Sequence, residues 1–330
     1  MSKLISIAIP AYNNLELLDR ALQSIVNQTY RPIEIIISDD NSPKNLQPVV
    51  NKYINLKLKD LEFKYFKNLE NLSFYGNTYA AFSKCTGEYG MYLHHDDYFT
   101  DNNCLTHCVE ILDRNKNVHI VITNSIVEHY LNTMMTWNYD GWQFINGQKY
   151  VTEYLYSIAH PSFSSVVFDR NFLQLLGYNE TYILPTEYRT KKIHFDEALI
   201  FIILLCLNGD VAINGKVYTF RGSPPDSYSR SNDWGLLGGS IGGMIPLLNF
   251  YFLETKENNR KIILNVILKV YSNLKFQDLR FLPVLLKKYG NYKILIPIFM
   301  VSIIMHYKAK LLKVFSLRAL KDSIKNLLFN

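Results

Sequence analysis

Asp96 and Asp97 close the apolar run Tyr89-Gly90-Met91-Tyr92-Leu93, follow His94 and His95, and are succeeded at once by Tyr98 and Phe99. Two carboxylates side by side at the end of a buried strand raise each other's pKa, because each disfavours the other's charge. A divalent cation relieves that repulsion. Hard oxygen ligands suit Mg²⁺ or Mn²⁺, which keep coordination positions for phosphate oxygens. The same pair also reads as a hydrated Asp-Asp turn. Histidines and thiols nearby (His94, His95, Cys104, His107, Cys108) raise zinc as an alternative. Cys104 and Cys108, however, stand four apart on one predicted helix face, whereas zinc cysteines pair through a tight loop knuckle. They read as core thiols.

The elements that would position these acids alternate over the first 125 residues. Short β-type runs at 4–9, 34–38, 62–66, 89–93 and 119–124 read as strands, and helical patterns fall between them near 48–53, 74–85 and 103–115. Leu15, Leu18, Leu22, Ile25 and Val26 mark one face of the first helix, and Asn13 with Glu16 three residues on makes an N-terminal cap for it. Such alternation predicts an α/β, mostly parallel Rossmann-like sheet flanked by helices, with ligands at the strands' carboxyl ends. Further on, 163–168 reads as a strand, 171–177 and 198–208 as helices, and 210–221 as a hairpin turning at Gly215. The Gly-, Ser- and Pro-rich stretch 222–244 reads as a mobile loop or a linker.

Composition narrows the field. Of 330 residues, 48% are apolar and 19% charged, a globular balance. The net charge of +6 is local: from Lys287 onward nine Lys/Arg face one acid, Asp322, so the remainder carries −2. Nucleic-acid binding by the main domain is disfavoured. The four cysteines show no disulfide spacing and predict reduced thiols in a cytoplasmic protein. The first run, 4–10, is followed directly by Tyr12, Asn13 and Asn14, so it reads as a strand rather than a signal peptide. No glycine precedes Gly76, which excludes a Gly-rich dinucleotide turn or a P-loop at the first strand.

What the first turn holds instead is Pro10-Ala11-Tyr12-Asn13, and the second strand ends in Asp39-Asp40-Asn41-Ser42 after Gln28-Thr29-Tyr30. With Gly87-Glu88-Tyr89 leading into His94-His95-Asp96-Asp97, and Gly177-Tyr178-Asn179-Glu180 later, these segments fall in order over residues 3–225. In that order and spacing the chain resembles the family 2 glycosyltransferases of the GT-A fold. The resemblance implies an inverting enzyme that moves a sugar from a nucleoside-diphosphate donor, a UDP-sugar, to a hydroxyl of a glycan or lipid-linked acceptor, of the kind that builds bacterial surface glycans. It assigns Pro10, Ala11, Tyr12 and Asn13 to the base and ribose, and Asp40 to the imide N–H of uracil. Asn71 borders that pocket, with Lys67 and Asn77 near it. Asp97 would bind Mn²⁺ or Mg²⁺ directly, with Asp96 on the ribose or a metal-bound water. Many relatives carry another acid two residues before this pair, where this chain has His94.

By the same resemblance Asp196-Glu197 opens the helix at the place of the catalytic base. Helix register favours Glu197 and residue type favours Asp196. Arg221 takes a position that closes over the diphosphate, with Arg230 a second cation from the loop. The resemblance implies a catalytic domain at 1–225, its nucleotide half 1–125 and acceptor half 126–225, while 226–330 reads from its residues as a flexible Gly-rich loop and a basic helical extension. That extension, with its interleaved lysines and leucines, predicts peripheral contact with the cytoplasmic face of the inner membrane, or else packing on the catalytic domain or into a homodimer. The competing reading is a non-catalytic nucleotide-sugar-binding or membrane-scaffold protein on a degenerate domain.

Overall fold

The computed structural model describes residues 2–128, 132–133, 135–137, 139–155, 161–176, 197–222, 224 and 256–270. The chain divides into two compact units: Met1–Thr181 with Ala198–Ser231, and Tyr182–Glu197 with Asn232–Asn330.

Among the described residues, the first unit is built on a ten-stranded sheet. Strands β1 (Ile5–Ala11), β2 (Ile33–Asp39), β3 (Leu61–Lys67) and β4 (Tyr89–Tyr92) form its parallel half, in the order β3-β2-β1-β4. Helices α1 (Leu15–Val26), α2 (Gln47–Ile54) and α3 (Ser73–Phe82) connect them. After the short β5 (Tyr98–Phe99) and α4 (Cys104–Arg114) come β6 (Val118–Val127), β7 (Asn132–Thr133), β8 (Trp142–Asn146), the one-turn α5 (Gly147–Lys149), β9 (Val166–Asp169), α6 (Arg170–Leu175), α7 (Glu197–Leu207) and β10 (Asp210–Arg221). β9 lies antiparallel between β4 and β6, and β10 runs parallel to β6, so the sheet beyond β4 is mixed. The parallel expectation holds for the first four strands, where each crossover is a helix.

Two sequence expectations are corrected here. Residues 210–221 are one strand and not a hairpin: residues on both sides of Gly215 pair parallel to β6, with register shifts absorbed as bulges. The α1 cap is Asn14, whose side chain accepts from Leu17 N at 3.1 Å, while Asn13 takes a left-handed conformation at φ 59°.

Ile5, Ile7 and Ile9 from β1 and Ile33, Ile35 and Ile37 from β2 pack with Leu18, Leu22 and Ile25 of α1 and Leu105, Cys108 and Val109 of α4. Alternation along each strand sends the intervening residues to the opposite face. There α3 and α7 close an aromatic layer: Phe82 against Tyr92 at 5.1 Å and Phe168 against Phe201 at 4.7 Å. All four cysteines are buried and free.

Glu34 is a charge in this interior. It is fully buried on β2 and accepts from Ser6 Oγ, from the backbone N–H groups of Thr86 and Gly87 (2.9 Å to Gly87), and from Lys64 Nζ at 3.0 Å. Burial alone would raise its pKa, yet these donors outweigh it and hold the carboxyl below the ordinary range. The 86–87 turn meets β1 so closely that a Cβ on Gly87 would sit 2.6 Å from Leu4 O, so only glycine fits. In the second unit, α8 (Glu257–Val270) buries Ile263, Leu264 and Ile267 and pairs Lys261 with Glu257 at 2.6 Å.

Candidate active site

The carboxyl ends of β1 and β2 are cross-tied by backbone. Asp40 N donates to Ala11 O at 2.9 Å, and Asn13 N donates to Ser42 Oγ at 2.9 Å. Asn13 and Asn41 both take left-handed conformations (φ 59° and 56°), which short polar side chains tolerate, and so turn the chain off the strand ends. The acids of the second strand end have separate roles. Asp39 is fully buried and spent on structure: Oδ1 accepts from Ser42 N at 2.8 Å and Oδ2 from Tyr65 Oη at 2.5 Å. Asp40 uses Oδ1 to accept from Leu72 N at 2.6 Å and Asn68 Nδ2 at 3.3 Å. Burial raises its pKa, and the charge of Asp39 adds to this.

Around this edge Asn71 Nδ2 donates to Asp40 O at 3.1 Å, Asn77 Nδ2 to Ser38 O at 3.0 Å, and Lys67 Nζ to Ser42 O at 2.9 Å. Asn71, Asn77 and Lys67 thus brace the loops that carry Asp40. Pro10 O lies 3.2 Å from His95 Nδ1, linking the ends of β1 and β4. Tyr12 is exposed, and Asn13 Oδ1 is buried with no hydrogen-bond partner among the described residues.

The second edge follows β4. Leu93 N bonds Ala8 O at 3.0 Å, then Asp97 N returns to His94 O at 3.0 Å and closes a tight turn. Asp97 is 1% exposed; Oδ1 accepts from Gly222 N at 2.8 Å and Oδ2 from the Ser164 hydroxyl. Asp96 presents its carbonyl to Arg20 Nη2 at 3.1 Å, and the Arg20 guanidinium lies 4.5 Å over the Tyr98 ring, which stacks on Phe220 at 4.8 Å. Gly222 passes so near that a Cβ there would stand 2.2 Å from Asp96 O. One ligand atom each from His94, Asp96 and Asp97 all lie within 4.8 Å of one another.

The electrostatics match the repulsion argument. Burial, then the Asp96 charge, pushes the Asp97 carboxyl up to about 8, and burial pushes His94 down to about 4. At neutral pH the imidazole is therefore an uncharged donor. Once the Asp97 proton is given up, which a bound cation would favour, two carboxylates and a neutral imidazole form a donor set that fits a divalent cation, and the buried His94 Nε2 has no hydrogen-bond partner among the described residues. Arg221, the last residue of β10, contributes positive charge that lowers the pKa of both Asp97 and His94.

Asp40 with Asn71 gathers at one edge, Asp96 with Asp97 at the other, and β1 with Pro10, Ala11 and Asn13 runs between them. Asp196 lies outside the described residues, as do the Glu197 side chain, Arg230 and the basic tail. The zinc alternative dissolves: Cys104 and Cys108 face the core, and His107 Nδ1 bonds Tyr218 Oη at 3.0 Å. A recess of about 460 Å³ at the β10 bulge, lined by Tyr139, Asp140, Gly141, Asn214, Gly215 and Lys216, contains none of the acids named above. Sequence reasoning missed Ser164, Asn68, Tyr65 and Arg20. Each acts on an acid at least 26 residues away, and a lone Arg on a helix or a Ser in an irregular stretch carries no local sign of that.

A parallel half-sheet with acid pairs at the carboxyl ends of its second and fourth strands, extended by an antiparallel strand and a second parallel pair, is a GT-A architecture. Residues 6–177, just over half the chain, match Glycosyl transferase family 2, and the chain belongs to that family. A Campylobacter jejuni GalNAc(5)-diNAcBac-PP-undecaprenol beta-1,3-glucosyltransferase is 36% identical over 94 residues, 28% of this chain and 29% of that protein. The chain spans 29% to 37% of the length of the first curated relatives it matches. In fold it is similar to S. aureus TarS 1-349 in complex with UDP, with 15% identity, a TM-score of 0.61, and 98% of this chain and 91% of that one covered. A mannosyltransferase from Pyrobaculum calidifontis in complex with GDP-Man and Mn²⁺ shares the fold at TM-score 0.52 and 12% identity, covering 93% of this chain and 85% of that one.

Proposed function

We propose that the protein is an inverting, metal-assisted glycosyltransferase that takes a sugar from a nucleoside-diphosphate donor, a UDP-sugar, to a hydroxyl of a lipid-linked or growing glycan. The observation that carries this reading is the pairing of two acidic strand ends across β1: a base-type acceptor at Asp40 and a cation-type cluster at His94, Asp96 and Asp97.

Asp40 accepts the ring N–H of the base, which an ionised carboxylate does without offering a competing donor. The strand end from Pro10 to Asn13 lies along base and ribose, with the buried, unpartnered Asn13 Oδ1 as a further acceptor. Asp97 and Asp96 would hold Mn²⁺ or Mg²⁺, which when bound supplies Lewis-acid stabilisation of the departing diphosphate. Arg221 adds positive charge beside it. Glu197, or Asp196, takes the proton from the acceptor hydroxyl as its oxygen bonds to the anomeric carbon from the opposite face. The bond from that carbon to the phosphate oxygen breaks, and the nucleoside diphosphate leaves with the electron pair. Catalysis is assigned to 1–225. Membrane contact or dimerisation, at the cytoplasmic face, is assigned to 226–330. A lipid-linked acceptor draws support from the lipid-linked substrate in the name of the Campylobacter relative.

The test is slow hydrolysis of a panel of nucleotide sugars with Mn²⁺. Asp97→Ala should lose hydrolysis while keeping its fold, and Glu197→Ala should lose transfer to acceptor. Wild-type rates in both variants would sink the assignment.

A further inference from the structure

We infer that His94 is itself a ligand of the cation, and that it biases the site toward Mn²⁺ over Mg²⁺. The inference rests on the proposed metal-assisted reading and goes beyond it, to this chain's own departure from an all-acid cluster.

Among the described residues, neither ring nitrogen of His94 makes a hydrogen bond. Nε2 is buried without a partner, and Nδ1 lies 3.7 Å from Asp97 Oδ2, beyond hydrogen-bond reach. Buried polar atoms in folded proteins are overwhelmingly paired, so a ring with two idle nitrogens beside two carboxylates calls for a ligand. The ring is flanked edge-on by Phe74, with centroids 5.1 Å apart, and by a tilted Phe163 ring at 5.6 Å, which restricts its rotamers. Its side chain is only 15% exposed, so water does not readily take the ligand's place.

Distance and chemistry agree. Two atoms that share one cation at about 2.1 Å stand no more than about 4.2 Å apart. The 4.8 Å envelope of His94, Asp96 and Asp97 needs a contraction of well under an ångström. An imidazole suits first-row transition metals, whereas Mg²⁺ takes oxygen ligands and binds nitrogen poorly. A site with one nitrogen and carboxylate oxygens therefore gains more for Mn²⁺ than for Mg²⁺.

The experiment reads binding directly in the full chain. Mn²⁺ affinity is measured by the EPR signal of the free ion, with and without UDP, and Mg²⁺ affinity by its competition. Pulsed EPR of the bound ion reports ¹⁴N coupling from a ligated imidazole. Wild type should show that coupling, and His95→Ala should keep it. His94→Ala should abolish it and weaken Mn²⁺ binding about 10- to 100-fold, with less than about threefold change for Mg²⁺. His94→Asp should restore affinity and move selectivity toward Mg²⁺. Wild-type Mn²⁺ affinity in His94→Ala, or ¹⁴N coupling that survives it, overturns the inference. If Asp97→Ala still loses Mn²⁺ in that case, the metal site stands without His94; if Asp97→Ala binds Mn²⁺ normally, the metal-assisted reading itself falls.

Discussion

Replacing Asp40 by asparagine should invert the base preference of the site rather than merely weaken it. Asp40 Oδ1 is already committed to Leu72 N at 2.6 Å and Asn68 Nδ2 at 3.3 Å, both donors. An asparagine must keep its carbonyl oxygen toward them, so its NH₂ takes the place of Oδ2. Uracil and guanine present a ring N–H at that edge; cytosine presents a lone pair there. In the wild type, a charge-assisted hydrogen bond to the N–H contributes about 1.5–3 kcal/mol, which is about 10- to 150-fold in Kd. In Asp40→Asn that bond is lost and donor faces donor, while CDP finds a donor for its ring nitrogen. Calorimetry with UDP and CDP in the absence of metal isolates the effect, since no cation then bridges the phosphates. UDP should weaken by at least about tenfold and CDP should tighten. The carboxylate accepts only when ionised, and burial raises its pKa. UDP affinity in the wild type should therefore be constant above that raised pKa and fall as the pH drops through it, a dependence the asparagine variant lacks. Unchanged UDP/CDP selectivity in Asp40→Asn would refute the assignment of Asp40 to the base.

Glu34→Gln should cost about 2–3 kcal/mol by replacing a charged acceptor of several buried donors, and lower Tm by about 4–12 °C in thermal denaturation. The folded pKa of Glu34 lies below its unfolded value, so its contribution is present above pH 4.5 and is lost as pH falls through the folded pKa; that segment of the stability curve should be shallower in the glutamine variant, with the remaining slope from Asp19, Asp101, Asp113 and Asp169. Arg20→Ala should release the Asp96 carbonyl from its 3.1 Å bond and raise the Mn²⁺ concentration needed for half-maximal donor hydrolysis, with metal-free UDP affinity unchanged and partial rescue in Arg20→Lys. An equal loss of metal-free UDP binding would mean that Arg20 merely holds the fold.

The parts of the fold written in short-range periodicity were legible. Leu15, Leu18, Leu22 and Ile25 announce α1 because 3.6-residue spacing is all that a face requires, and β1, β2 and β4 are largely apolar because inner parallel strands are covered on both sides, whereas the edge strand β3 alternates. What failed was decided at long range. Asn214-Gly215 has the chemistry of a hairpin turn, but 211–213 and 217–221 each find partners on β6, so the glycine became a bulge in one strand. Asn13 and Asn14 are equally good caps by residue type, and the tie of Asn13 N to Ser42 decides between them. At the site, the acids were visible as unusual residues at strand ends. Their supports were not, because the hydroxyls of Ser164 and Tyr65 and the Arg20 guanidinium come from segments with ordinary sequences.

The Asp97 carboxylate is held by Ser164, 67 residues downstream, and by Gly222, 125 residues downstream, whereas Asp40 is complete with residues no later than Asn77. As the chain emerges from the ribosome, the base-side pocket can close after β1, β2, β3 and α3 have assembled. The cation-side clamp must wait until β9 and the end of β10 have been made. The two halves of one small site are thus separated in time by the synthesis of almost 150 residues. On the proposed reading, the end of the site assigned to the base can form long before the end assigned to the diphosphate.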